Sequence, residues 1–567
     1  MRSAVAVLID LEMPINPPVL QDAPVASANG RFGLRDWAAR AATLVALVGV
    51  ALILTLHGGV YYSQWTPDVF IPLEGVLHLQ HGQWPHRDFA TPVGSLWYVI
   101  NALPAVIMPV SAEVVVWANL IVALVASAAV ITTCHGKLPR WLVCLSGFYV
   151  GLVALSPRQI GESFQHISNN ASYNRYCWSL ICAIALASLL PARAPSDRRR
   201  EAIDGIVAGL LIALCFYIKI TYAAAGIGFV VLALMTTRGL SGWRFALVAG
   251  LVSAAVVLVA GVVTGDLPGY FADMKTAVAV LPDTARSRQI VYQLFYTVPG
   301  LVLVGILSLF AGAPPGRMRA AFGPGLWAGL LTVCAGLAIE VQNHPEPENP
   351  LLPIALLVGW TASRLHARGP LRYSARLGDM ILGGFVLIMM AGDLCAVGWT
   401  AVVPVSASPH VAWLRTTQIT DLRIATHDTG PPSPIPHMLQ SDDHILGLWD
   451  EAIGLLRPHI HGRHDAIVLP FIWSNPFPAL LGLPPVRHEV AWWDPERTYN
   501  LALKPAPHVL LDPVDFVLVS HGYVNPLTGN TMWAAYGDEL HADFRIVGQT
   551  PHWDLWARQD CARRGLC

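Results

Sequence analysis

AIDGIVAGLLIALCFYIKITYAAAGIGFVVLALMT, residues 202–236, decides the fold class. Two apolar runs, 202–218 and 221–236, are separated by one cation, Lys219. Each approaches the length that crosses ~30 Å of hydrocarbon at about 1.5 Å per helical residue. In lipid the backbone must satisfy its own hydrogen bonds, which a helix does within the segment. Outward from this pair the pattern repeats, with apolar runs at about 38–58, 93–110, 112–133, 139–156, 176–191, 245–264, 293–311, 322–340, 350–363 and 378–397. They predict an all-α polytopic membrane protein with about 12–13 transmembrane helices. Composition agrees: 54% of the 567 residues are hydrophobic and 13% charged, against roughly 25% charged in soluble domains. The net charge of −1 gives no field favouring nucleic acid, and no segment resembles a nucleic-acid module.

Residues 1–36 read as a disordered cytoplasmic tail. AVAVLI is too short for a signal peptide, is stopped by Asp10, and leads into the Pro-rich LEMPINPPVLQDAP. Residues 37–397 form the transmembrane domain, with a first extracytoplasmic loop at 59–92. After residue 398 the composition changes. THDTGPPSPIPHMLQSDD is a linker; HILGLWDEAIGLLRP has helical spacing, DAIVLPF is strand-like, and VDFVLVS, TMWAAYGDEL, FRIVGQT and HWDLWAR continue an α and β alternation. Residues 398–567 are therefore expected to form a small α/β domain on the membrane surface. Seven of nine cysteines lie in or at the end of apolar runs as small hydrophobes. Cys561 and Cys567 bracket the polar end CARRGLC, as a small disulfide loop or as two tail thiols.

Orientation follows from the basic residues of short loops. Arg31, Arg35 and Arg40 precede or begin the first run, against Arg87 after it, which places the N-terminus in the cytoplasm. Arg193 with Arg198–Arg200, Arg238 with Arg244, Arg317 with Arg319, and Arg364, Arg368, Arg372 and Arg376 fall at alternate turns. These place 157–174, Lys219, 265–292, 341–349 and everything after 397 outside. The two assignments differ by one crossing between 59 and 192: either 93–110 is re-entrant or a crossing hides around 134–175. Composition suits a bacterial inner membrane with an extracytoplasmic C-terminal domain.

The first loop, WTPDVFIPLEGVLHLQHGQWPHRDFATPVGSLWY, carries the chemistry. Asp68 follows the first membrane helix closely. VFIPLEGVLHLQHG has apolar residues at helical spacing and suits an interfacial helix, which returns the chain to the membrane at Asp88. Two carboxylates twenty residues apart then share one site. The plainer alternatives are that Asp68 caps the interfacial helix and Asp88 pairs with Arg87 or a lysine.

On these residues the chain resembles the GT-C superfamily of membrane glycosyltransferases, such as the dolichyl-phosphate-mannose protein mannosyltransferases and the bacterial enzymes that modify lipid A or cell-wall glycans. The shared pattern is an early acid, an interfacial helix, and a stretch like G-x-x-P-Y-R-D-F before a Pro/Gly-containing helix start. Here it reads GQWPHRDF with TPVG behind it, His86 replacing Tyr, and Asp68 is followed by Val69 where an acidic pair is common. The resemblance implies an active site at the outer membrane face, a polyprenyl-phosphate-linked sugar donor, a glycan, lipid or protein acceptor, and inversion at the anomeric carbon. It maps the general base onto Asp68, with Asp88 as the second acid; His86 and Arg87 join the substrate and lipid-phosphate side.

Lys219 at its turn is placed to hold a lipid phosphate, with snorkelling the alternative. Arg175, in the polar stretch ESFQHISNNASYNRYCW, is a phosphate or carboxylate ligand or an interfacial anchor. In EVQNHPEPENP, His344 with Glu346 offers a divalent ion two ligands, though Pro-spaced loop carboxylates are usually solvated; no cofactor is otherwise called for. Trp492 and Trp493 in AWWDPERTYN offer faces for a sugar. The competing functions are a transporter or flippase for a lipid-linked glycan, a polymerase or ligase, and an assembly subunit. The first predicts repeated halves or mid-membrane ionisable residues, the second a large soluble loop between helices; neither pattern is evident.

Overall fold

The computed structural model describes residues 34–57, 59–62, 66–169, 171–190, 198–280, 298, 302, 324–343, 348–366, 372–406, 412–413, 424–426, 442–495, 497–521 and 526–559. The tail 1–33, most of the expected span 293–311, Arg317, Arg319, His344, Glu346, most of the linker, Cys561 and Cys567 lie outside them. The membrane part consists of α1 (Leu34–Leu54), α2 (Phe70–Gln80), α3 (Ser95–Ala102), α4 (Glu113–Cys134), α5 (Arg140–Leu155), α6 (Ser172–Leu189), α7 (Arg198–Ile218), α8 (Ile220–Met235), α9 (Trp243–Thr264), α10 (Leu267–Val280), α11 (Pro324–Asn343), α12 (Leu352–His366) and α13 (Arg372–Ser406). Among the described residues, five helices are long and apolar enough to cross a membrane, within α1, α4, α7, α9 and α13; α5, α8, α11 and α12 carry shorter apolar stretches. The chain is a multi-pass membrane protein.

The run 93–110 does not form a spanning helix. α3 has eight residues and is followed by a 3₁₀ turn at Pro104–Val106. Eight residues reach only about 12 Å, well short of the ~30 Å core. Pro104 breaks the run by removing a backbone donor and restricting the residue before it.

Small residues set the packing. Gly205 and Gly209, one turn apart on α7, face α9 so closely that an added Cβ would lie 2.8 Å from the Phe245 carbonyl oxygen and 2.5 Å from that of Ala249. Such small-xxx-small stripes bring helix backbones together where lipid supplies no hydrophobic drive. α6 is central and almost wholly buried. Its polar groups find partners inside: Ser179 Oγ donates to the Val150 carbonyl (2.6 Å) and the Tyr176 hydroxyl to Asn119 Oδ1 (2.7 Å). At one end of the bundle Asp204 accepts from Lys137 (2.6 Å) and Arg238 (2.9 Å), so these buried charges are compensated.

The C-terminal part holds α14 (Asp442–Ile460), β4 (Val468–Phe471), α15 (Phe477–Leu481), α16 (Pro507–Leu511), β5 (Phe516–Ser520), α17 (Pro526–Asp543), β6 (Phe544–Gln549) and β7 (Trp553–Arg558). The sheet order is β4-β5-β7-β6; β4 and β5 are parallel and the other pairs antiparallel. VLPF and FVLVS are apolar on both faces because both are covered, as parallel pairs require. α14 buries Ile445, Leu448, Trp449, Ala452, Ile453 and Leu456, the stripe its spacing predicts. A second sheet joins the first loop to the segment after α13: β1 (Val60–Tyr62) runs parallel to β3 (Ile424–Thr426), which pairs antiparallel with β2 (Ala412–Trp413).

Candidate active site at the first loop

The first loop is pinned at both ends. At its far end the Gly94 N–H donates to the Ile218 carbonyl (2.8 Å), and a Cβ on Gly94 would stand 2.0 Å from the Tyr217 carbonyl oxygen. Only glycine permits that approach. The contact lies beside Lys219, whose extended backbone (φ −158°, ψ 111°) separates α7 from α8. At its near end the 3₁₀ turn Thr66–Val69 carries Asp68, and Ser474 Oγ of the C-terminal part donates to the Pro67 carbonyl (2.7 Å).

Around Tyr173, near the start of α6, these segments converge. Lys219 Nζ stands 5.0 Å from the Tyr173 ring centre and donates to Asn174 Oδ1 (3.0 Å). Trp492 lies nearly parallel to the Tyr173 ring (6.4 Å, 15°), and Trp97 meets it edge-on (5.3 Å, 83°). Trp97 Nε1 donates to Ser172 Oγ (2.9 Å), holding that edge. Asp68, Asp494 and Arg497 lie within electrostatic range of Tyr173, and Arg497 is within range of Lys219 as well. Arg497 is 71% exposed and 3.5 Å from Asp494. A buried carboxylate, an ammonium, an exposed guanidinium and aromatic rings thus surround Tyr173. That set suits an acid–base step beside an anion.

Asp88 takes a different position. Its carboxylate accepts from the Trp84 N–H (2.8 Å), Arg87 Nε (3.1 Å) and Arg487 Nη2 (2.6 Å). Burial alone pushes this carboxyl up, but the Trp84, Arg487 and Arg87 bonds outweigh it and hold Asp88 below the usual carboxylate range. The neighbouring backbone is zipped to the same segment: His488 N–H donates to the Asp88 carbonyl (2.6 Å), Ala90 N–H to Glu489, and Ala491 N–H back to Ala90 (both 2.9 Å). Asp88 therefore joins the first loop to residues 487–491. Arg87 is 56% exposed. His86 has φ +66°; its Nδ1 lies 2.7 Å from Asp273 Oδ2 and its ring packs on Tyr270. Asp273 also accepts from the Thr91 N–H (3.0 Å), so α10 fixes the GQWPHRDF turn.

Arg175 is 1% exposed but faces another neighbourhood. Nη1 donates to the Arg158 carbonyl (3.3 Å), while Nε and Nη2 have no hydrogen-bond partner among the described residues. Arg158 beside it is committed to Glu348, bidentate at 2.8 Å, and to Asp393 at 2.7 Å. The structure thus places Asp68 within electrostatic range of Tyr173 and Lys219 against the same ring, and sets Asp88, His86, Arg87 and Arg175 apart from it. Sequence reasoning did not single out Tyr173, Asp494, Arg497 or Arg158. Asp494 and Arg497 stand in the AWWDPERTYN stretch, where the aromatics were the signal; both tryptophans are buried, Trp492 against Tyr173 and Trp493 on Tyr499 and Tyr536.

No family model and no curated protein matches the chain in sequence. Among solved structures, 93% of the chain is similar to 98% of ArnT from Cupriavidus metallidurans bound to undecaprenyl phosphate, with 12% identity and a TM-score of 0.44. Over 86% of its length it is similar to 70% of the oligosaccharyltransferase AglB from Archaeoglobus fulgidus in complex with an inhibitory peptide and a dolichol-phosphate, with 11% identity and a TM-score of 0.36.

Proposed function

We propose that this protein is an integral-membrane glycosyltransferase of the GT-C kind that moves a sugar from a polyprenyl-phosphate carrier to an extracytoplasmic glycan, lipid or protein acceptor. The observation that carries the reading is the convergence of Asp68, Lys219 and Trp492 on Tyr173 from separate segments. Asp68 is the general base: it takes the proton of the acceptor hydroxyl as that oxygen attacks the anomeric carbon. The bond from that carbon to the phosphate oxygen breaks on the opposite face, giving inversion, and the phosphate leaves with its added charge. Lys219 and the exposed Arg497 compensate that charge, while Trp492 and Tyr173 provide ring faces for the sugar. Asp88, His86 and Arg87 position the loop, and Arg175 is a second anion ligand deeper in the bundle.

The topology proposed is cytoplasmic N-terminus, extracytoplasmic first loop and C-terminal domain. With α3 too short to cross, reading the 16-residue α5 and the 18-residue α6 as spans beside α1 and α4 puts four crossings before Arg198–Arg200. That basic loop then returns to the cytoplasmic side, and the count agrees with the positive-inside rule.

The test compares wild type with Asp68→Asn in proteoliposomes supplied with radiolabelled polyprenyl-phosphate sugars. Donor-dependent transfer or slow donor hydrolysis in wild type, lost in the folded, donor-binding variant, supports the assignment. Equal turnover by both removes Asp68 as the base.

A further inference from the structure

On another side of the first loop, α2 presents Glu74 and His78 one turn apart, and Glu489 from the segment after α15 comes against them. The three are 3%, 1% and 1% exposed. One ligand atom from each lies within 4.8 Å of the others, and His78 Nε2 is 3.3 Å from Glu489 Oε1. His78 Nδ1 lies 2.7 Å from Gln83 Oε1, and Gln83 Nε2 donates to the Pro485 carbonyl (3.4 Å), which fixes which amide atom faces the imidazole. An acceptor at Nδ1 makes that nitrogen the N–H of a neutral ring and leaves the lone pair on Nε2. Phe89 stacks on the ring (4.2 Å, 20°) and holds its plane.

The lone pair thus points at carboxylate oxygens. His78 Nε2, Glu74 Oε1 and Glu489 Oε1 are buried and face one another, and none makes a well-aligned hydrogen bond to another described residue. Burial pushes the Glu74 carboxyl well up and the neighbouring Glu489 adds to this; burial also raises Glu489, opposed by His78. Two carboxylates and an imidazole lone pair converging away from water require positive charge at their centre, a shared proton or a metal ion.

We propose that Glu74, His78 and Glu489 form a divalent metal site of the zinc class that clamps the interfacial helix to the C-terminal domain. One imidazole and two carboxylates are a borderline nitrogen–oxygen donor set. Donors bound tetrahedrally at roughly 2.0–2.1 Å stand about 3.4 Å apart, close to the His78–Glu489 separation. Gln83 orients the imidazole and Asn475 bonds the Glu74 carboxyl, the outer support that metal ligands use. The backbone of Glu489 accepts from Ala90, and Trp492 follows three residues later, so the clamp sets where the Trp492 shelf sits. The site stands on these residues alone and does not depend on the transfer reaction.

Full-length protein in nanodiscs, equilibrated with Zn²⁺ and washed, is assayed for metal content and thermal unfolding beside Glu74→Gln and Glu489→Gln. Glu74→Gln retains volume and its amide can donate to Glu489, so it keeps the fold. The expected result is about one zinc per chain in wild type, a melting point that falls with a chelator and recovers with Zn²⁺, and affinity lowered about 10- to 100-fold or more in both variants. Three results overturn the proposal. One is wild type without stoichiometric zinc. Another is a melting point indifferent to zinc, with Glu74→Gln matching wild type, which assigns a shared proton. The third is variants that keep the wild-type metal content, which places the ion elsewhere.

Discussion

Replacing Asp88 by Ala should loosen the first loop from the C-terminal domain by an amount the geometry allows to be worked out. The carboxylate is 4% exposed, while its partners Arg87 and Arg487 are 56% and 57% exposed. Both guanidinium groups regain water when the acid is removed, so each pairing contributes only about 0.2–1 kcal/mol, as exposed ion pairs do. The Trp84 N–H loses its acceptor, which costs roughly 1–3 kcal/mol if it stays dry. The sum is about 1.4–5 kcal/mol for Asp88→Ala. Asp88→Asn keeps an oxygen for the Trp84 N–H and should cost less than half as much. The pH dependence has a definite sign. The folded carboxyl is held below its unfolded value of about 3.9, so its stabilisation is present above that pH and fades as pH falls through the lower folded value. Thermal unfolding followed by tryptophan fluorescence in detergent at pH 7 and over pH 3–5 measures all three proteins. Asp88→Ala should melt lowest, and Asp88→Asn should lack this acid-sensitive component. Melting points equal to wild type for both variants would refute the claim that Asp88 joins the loop to residues 487–491.

Lys219→Met should raise the donor KM about 10- to 150-fold, equivalent to one charged hydrogen bond of roughly 1.5–3 kcal/mol, while the melting point changes little; steady-state kinetics check this. Trp492→Ala should weaken sugar-dependent binding by about 0.5–1.5 kcal/mol, read by comparing a polyprenyl-phosphate sugar with the bare polyprenyl phosphate, whose affinity should hold. Gly94→Val should abolish activity and expose the first loop to protease, because even a Cβ would lie 2.0 Å from the Tyr217 carbonyl; protection equal to wild type would contradict it.

Much of the fold was legible because its signals are local. The apolar runs became α1, α4, α7, α9 and α13, and the alternation after residue 444 became α14, β4, β5, α17, β6 and β7. The run 93–110 misled because hydropathy does not register where a helix stops, and Pro104 ends it after eight residues of α3. At the site, Asp68 and Lys219 were visible as isolated charges beside apolar runs. Arg497 and Asp494 were not, since their meeting with Tyr173 depends on how residues 485–497 fold back onto the loop. The Glu74, His78 and Glu489 cluster was hidden for a similar reason. Its spacing on α2 is ordinary for a helix, and its third member lies more than four hundred residues away in sequence.

The most direct measurement is a cryo-EM map of the full chain in nanodiscs saturated with a polyprenyl phosphate. Phosphate density is expected against Lys219 Nζ, within reach of Arg497, with the isoprenoid chain leaving into the bilayer and the sugar-side space bordered by Trp492. Phosphate density at another part of the bundle, with the Lys219 neighbourhood still closed by Asn174 and Tyr173, would contradict it.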